Sequence, residues 1–209
     1  MNSEDQKKKL MQSLLKTLPK DPLLEGFAER LLQQMSFRTM THLSTQNVHL
    51  FLQERYEFFK TNISKRPAIK ISTPKSPPKW LKHRQMIEIV SPDASHLVIT
   101  VEGILRKHGL RITRTLHPII GITCKPQSKL TAIGAPEDHP VPISYTFIAF
   151  EEVNDAKLLS SIKTELLYHL KAVDPSHTSQ DQLFNLINTL QTEVKNNSIQ
   201  SEDPKTEWI

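Results

Sequence analysis

Between Arg84 and Thr123 the chain reads RQMIEIVSPDASHLVITVEGILRKHGLRITRTLHPIIGIT, a strand, a helix and a second strand with few residues spent on connections. Met86, Ile87, Ile89 and Val90 form a short apolar run that Ser91-Pro92-Asp93 closes. Leu97, Val98, Val101, Ile104 and Leu105 then recur along one face of a helix. Gly109, just after His108, stands where a residue free to take positive φ ends a helix. A strand, a helix and a return strand make a right-handed crossover that lays the helix on one face of the sheet. No catalytic group is arranged within the unit.

The flanking sequence adds to it. Leu10, Leu14, Leu15 and Leu18 form a helical stripe that Pro19 stops. Asp21-Pro22 is a helix start, with Asp21 as N-cap and Pro22 in the first turn, and Leu24, Phe27, Leu31 and Met35 follow on one face. Ser44 or Thr45 opens a third helix bearing Val48, Phe51, Leu52, Tyr56 and Phe59, with Gln53, Glu54 and Glu57 on its polar surface. Downstream, residues 124–142 hold Pro126, Gly134, Pro136, Pro140 and Pro142, which predict turns and no regular element. Residues 143–150, ISYTFIAF, predict a strand. Asn154 or Asp155 caps a helix carrying Leu158, Leu159, Ile162, Leu166 and Leu170. The predicted organisation is a helical element over 1–62, a basic proline-rich linker or edge strand over 63–82, an α/β domain over 83–175, a further helix over 176–196 and a disordered tail over 197–209. The α/β order is β, α, β, β, α. Both of its helices fall on one sheet face, and the other face needs a cover: the flanking helices or a second copy of the sheet.

Charge is concentrated. Residues 60–85 carry eight lysines and arginines and no acid, while the whole chain has a net charge of +5, so the remainder is net acidic. Pro67, Pro74, Pro77 and Pro78 in the same stretch favour an extended, solvated segment, in which 68–72 alternates as an edge strand does. A single-stranded nucleic-acid site needs interleaved aromatics for stacking, and Trp80 is the only one there. Nucleic acid is not the expected partner. No apolar run approaches the length of a membrane span, and the charged N-terminus is no secretory signal. The single cysteine, Cys124, fits a reducing compartment, and a cytoplasmic location is the simple expectation.

Familiar catalytic and cofactor patterns are missing. The five glycines form neither a dinucleotide fingerprint nor a phosphate-binding loop, and no Gly-x-Ser-x-Gly elbow occurs. His83, His96, His108 and His117 lack metal-ligand spacing, and Cys124 has no second cysteine. The best site is the turn Ser91-Pro92-Asp93-Ala94-Ser95, leading from the first strand into the N-terminus of a helix. Free N–H groups there attract a carboxylate, and Asp93 can face an ammonium group. The plainer reading is that Asp93 or Ser95 caps the helix. The candidate ligand-binding set is Ser91, Asp93, Ala94, Ser95 and His117. His117 precedes Pro118, which marks a bulge or an edge in its strand.

At these residues the chain resembles the N-terminal region of the large bacterial NAD-specific glutamate dehydrogenases. Ile87-Glu88-Ile89-Val90, Asp93, Leu97-Val98, Gly109-Leu110 and His117-Pro118-Ile119 match that family's pattern in order and spacing. Phe27-Ala28-Glu29-Arg30-Leu31, Phe51-Leu52 and Tyr56-Glu57-Phe58-Phe59 look like its leading helices, and Ser144-Tyr145-Thr146-Phe147-Ile148 like a later strand. The resemblance covers about residues 25–195. It implies an α+β fold, a ferredoxin-like, ACT-type βαββα sheet with helices on one face, preceded by a helical element and followed by a C-terminal helix. It also implies a non-catalytic regulatory or assembly region, with an amino-acid effector, of an enzyme that oxidatively deaminates L-glutamate to 2-oxoglutarate. NAD and the chemistry would belong to a catalytic region downstream, which with a homo-oligomer partner is the expected contact. The chain would then be a fragment, or a split or truncated gene product. Pro92 and Ile99 stand where the family has acids, which leaves Asp93 as the carboxylate of the site. A free-standing ACT-like sensing or interaction module is the alternative, and a nucleic-acid-binding domain a more distant one.

Overall fold

The computed structural model describes residues 3–43, 45–64, 66–74, 77–125 and 129–171. Four helices come first: α1 (Ser3–Leu15), α2 (Pro22–Gln33), α3 (Phe37–Met40) and α4 (Thr45–Asn62). β1 (Ala68–Ser72), β2 (Arg84–Pro92), α5 (Leu97–Lys107), β3 (Ile112–Leu116), β4 (Ile119–Lys125), β5 (Lys129–Gly134) and β6 (Val141–Glu151) follow. Residues 156–171 form a last helix, α6.

All six strands join one antiparallel sheet in the order β1-β2-β6-β4-β5, with β3 also paired to β6. The central strand is β6. Along one side it runs against β2 from Arg84↔Glu151 to Pro92↔Ile143. Its other side is shared by β3 and β4, which His117-Pro118 separates. A proline cannot donate to a ladder; here its carbonyl accepts from the Tyr145 N–H at 3.1 Å, and the pairing resumes beyond it.

The alternation of side chains along β2 and β6 divides the core in two. Ile87, Ile89, Ile148 and Phe150 face α5 and α6, meeting Leu97, Val101, Ile104, Leu105, Ile162, Leu166 and Leu170. Met86, Val90, Tyr145, Phe147 and Ala149 face the other way, into Phe27, Leu31, Leu52, Tyr56 and Phe59 of α2 and α4. The N-terminal helices therefore supply the cover that the second sheet face needed. Because both faces are buried, 143–150 reads as an almost unbroken apolar run. Phe27 anchors this layer, with ring centroids 5.3 Å from Tyr145, 5.2 Å from Phe59 and 5.9 Å from Tyr56.

The helix ends follow local chemistry. Asp21 accepts from the Leu23 N–H at 2.9 Å and caps α2. Gly109 takes φ 74°, and Leu110 N–H donates to the Leu105 carbonyl at 3.0 Å, closing α5 in a Schellman turn. Asp155 accepts from the Leu158 N–H at 3.0 Å and starts α6.

A buried polar cluster ties α4 to the sheet. Arg55 and Glu88 have side chains 1% and 0% exposed. The Glu88 carboxylate receives the Tyr145 hydroxyl at 2.7 Å and lies 3.1 Å from the Lys70 ammonium and 3.7 Å from Arg55 Nε. Arg55 also donates to the Phe51 carbonyl at 3.2 Å and to Glu54 at 2.8 Å, and its guanidinium stacks 4.6 Å from the Phe51 ring.

Three expectations change. Residues 129–134 form β5, paired to β4 from Gly121↔Gly134 to Lys125↔Lys129, where turns alone were expected. The prolines of this stretch flank the strand and do not interrupt it. A short helix, α3, lies between the second and third expected helices, capped by Ser36. Neither Asp93 nor Ser95 caps α5: its N-cap is His96, at φ 63°, and no side chain bonds to the first turn. In the basic stretch, 68–72 is the edge strand β1, paired to β2, and Lys79–Leu81 form one 3-10 turn. The expected helix at 176–196 and tail at 197–209 lie outside the described residues. Among the described residues, no helix is long and apolar enough to cross a membrane.

Candidate ligand-binding site

The end of β2 brings several of the expected site residues together. Ser91 is the last but one residue of β2; it is buried, and its Oγ has no hydrogen-bond partner among the described residues. A buried hydroxyl without a partner carries a desolvation cost that a ligand atom can offset. Ser144 of β6 is its cross-strand partner, on the α5 face of the sheet. Thr146 follows two residues on, and both hydroxyl residues are fully buried.

His117, at the break between β3 and β4, closes the group. Its Nδ1 lies 2.9 Å from Thr146 Oγ1 and 3.3 Å from Ser144 Oγ. Burial lowers its pKa below the usual 6.5, and the nearby Asp93 carboxylate acts in the opposite sense. The imidazole is thus mostly neutral at pH 7.

Asp93 and Ser95 are exposed and Ala94 is half-buried. The Ala94 carbonyl accepts from the Leu97 N–H at a long 3.4 Å. The first turn of α5 therefore carries N–H groups without a side-chain cap. A carboxylate suits those N–H groups, and an ammonium suits Asp93. Ser144 and Thr146 were absent from the expected set. Their signal was present in ISYTFIAF, where a serine and a threonine sit at period two on one face of the strand. Ser95 has no capping role, and nothing draws it into the group.

The group offers hydroxyls, an imidazole and a carboxylate, which suit the holding of a polar ligand. Cys124 is free and exposed at the far end of β4. Among the described residues no cluster of histidine, cysteine, aspartate or glutamate could hold a metal ion. The β2–α5 turn carries no glycine, so its backbone does not fit the close approach that a dinucleotide pyrophosphate needs.

A family model described as the ACT1 domain of glutamate dehydrogenase matches residues 27–166. The match takes in the layer from α2 through most of α6 and ends short of the 25–195 span of the sequence resemblance. No curated protein and no solved structure matches the chain.

Proposed function

Because the chain belongs to the glutamate dehydrogenase ACT1-domain family, we propose that it serves as a regulatory or assembly region of an NAD-dependent enzyme that oxidatively deaminates L-glutamate to 2-oxoglutarate. NAD and the hydride chemistry belong to a separate catalytic region, the intended contact of this one, with a second copy of the chain as the other. The compartment in this reading is the cytoplasm. The effector is a free amino acid. Its carboxylate lies on the N–H groups of the first turn of α5, its ammonium on Asp93, and a polar atom near Ser91 Oγ and His117. The observation that carries the reading is the unpartnered Ser91 hydroxyl, buried beside a helix start that no side chain caps.

A thermal-shift screen of the full chain against the twenty amino acids tests it. Ligand at a hundred times its Kd stabilises the folded state by about 2.7 kcal/mol, enough for a clear rise in Tm. Asp93→Asn is expected to weaken the response to the amino acid that gives it. No shift with any amino acid would remove the effector half of the proposal. The assembly half fails if the chain neither self-associates nor binds a glutamate dehydrogenase catalytic region in a pull-down.

A further inference from the structure

The opposite face of the sheet holds a polar cavity. It has a volume of about 300 Å³ and is lined by Ser36, Arg38, Thr39, His42, Trp80 and Arg114. Arg114 is there because β3 is irregular. The β3–β6 ladder runs from Ile112↔Phe150 to Arg114↔Ala149, one residue out of step. In a regular strand Arg114 would share the face of Ile112, which packs beneath α5 and α6. The bulge turns it to the face of Ala149, and Thr113 Oγ1 donates to the Ala149 carbonyl at 3.1 Å. Bulges that re-aim one side chain are frequent beside functional sites.

Once turned, Arg114 stacks its guanidinium 5.2 Å from the centroid of Trp80. Trp80 is itself fixed edge-on against Phe51 and Phe147, at 5.5 and 6.1 Å. Its indole Nε1–H is buried and has no partner. Arg114 is half-buried, and among the described residues no carboxylate pairs with it, with Arg38 or with His42. Burial lowers the Arg114 pKa, with no acid acting to raise it. A half-buried guanidinium ordinarily has an anionic partner. This one shares a cavity with a second arginine, a histidine and two hydroxyls, and no acid lines it.

We propose that this cavity binds a small oxyanion, a carboxylate or phosphate, held between Arg114 and Arg38, with the Trp80 ring as the platform for the Arg114 guanidinium. It lies on the face opposite the amino-acid site and stands whether or not that site binds. Its walls come from the helical element (Ser36 to His42), the 3-10 turn (Trp80) and β3 (Arg114), so an occupant would bridge the N-terminal helices and the sheet. A planar guanidinium pair recognises the two oxygens of a carboxylate or phosphate in fork geometry.

Trp208→Phe leaves Trp80 as the single tryptophan. The full chain carrying that change is titrated with sodium phosphate and, separately, with sodium glutarate, with ionic strength held constant by sodium chloride. A saturable change in Trp80 fluorescence with either probe is expected, and the stronger of the two responses tells phosphate from carboxylate. Arg114→Gln and Arg38→Gln are each expected to weaken the response about tenfold or more. Arg38 is exposed, so its variant decides the matter if Arg114→Gln does not fold. The proposal is overturned if neither probe gives saturation by about 10 mM, too weak for a built site. It is also overturned if chloride alone reproduces the change, or if Arg38→Gln binds as tightly as the parent.

Discussion

Arg55→Met should destabilise this protein far more than Glu88→Gln, although the two residues belong to one cluster. The difference follows from what each change leaves behind. Removing the arginine leaves Glu88, 0% exposed, with the Tyr145 hydroxyl at 2.7 Å and a lysine whose side chain is 39% exposed. Breaking a buried ion pair by removing one partner costs about 3–5 kcal/mol. Lys70 remains beside it, so the lower end, about 3 kcal/mol, is expected. Removing the Glu88 charge leaves Arg55 with the Phe51 carbonyl, Glu54 at 2.8 Å and the Phe51 ring. That loss should be about 1–2 kcal/mol. The double variant no longer strands a carboxylate, and the pair should couple by about 1–2 kcal/mol in the sense that makes the double less destabilised than the sum. Urea unfolding followed by far-UV circular dichroism measures all four members of the cycle, with equal m-values as the check on two-state behaviour. Domain stability is about 5–15 kcal/mol, so the shift in midpoint will be large. A cost for Arg55→Met below about 1 kcal/mol, or strict additivity in the double variant, would refute the view that this arginine neutralises a buried carboxylate.

The remaining expectations concern glycines and titration. A Cβ on Gly26 of α2 would collide with the Ile133 carbonyl oxygen of β5, so Gly26→Ala should cost about 1–3 kcal/mol in urea unfolding. A Cβ on Gly103, exposed in α5, meets nothing within 4 Å, so Gly103→Ala should stabilise by about 0.5–1 kcal/mol; a loss there would contradict the open surface. Burial, then Asp21 and Glu57, push the Tyr56 hydroxyl up to about 12, and burial, then Glu88, raise that of Tyr145 well above 10. In the unfolded chain both ionise near 10, so the stability they hold is intact below pH 10 and is lost as pH rises above it. Alkaline Tm scans of Tyr56→Phe should fall less steeply than those of the parent between pH 10 and 12. Hydrogen bonds from Lys107, then His108, hold the Glu165 carboxyl down at about 2. Its contribution is present above the usual 4.5 and fades as pH falls toward 2, so Glu165→Gln should flatten the acid limb of the Tm profile in that window.

Much of the framework was legible where local chemistry and burial agree. Asp21-Pro22 starts α2, Gly109 ends α5, and the largely apolar run at 143–150 marks a strand. Legibility failed where tertiary contact overrides a local cue. Prolines on either side of 129–134 suggested turns, yet Ile133 is buried beneath α2, whose Gly26 allows the close approach. Arg55 sits among Gln53, Glu54 and Glu57, a neighbourhood that reads as solvated surface, and is buried because its partner arrives from β2. The candidate amino-acid site was visible as a strand-to-helix turn with His117 in reach, but its floor, Ser144 and Thr146, comes from a strand some fifty residues later in the chain. The oxyanion cavity was not legible. Trp80 stood out only as a lone aromatic in a basic, proline-rich stretch, and no periodicity reveals that a bulge turns Arg114 toward it.

The place of β1 has a consequence for how the molecule can move. In a βαββαβ arrangement the strand beside the first one follows the second helix and pins that helix between two strands. Here β1 precedes β2 and fills that place. Among the described residues every strand of the sheet is in place by Glu151, before α6 begins. α6 follows through residues 152–155 and holds to the sheet by Ile162, Leu166 and Leu170, and to the end of α5 by Glu165. Swinging this helix away would break no strand pairing. It would cost apolar contacts and the Glu165 contacts to Lys107 and His108, and would bare the sheet face on which Ile87, Ile89, Ile148 and Phe150 lie. The chain order thus leaves every described strand pairing independent of α6.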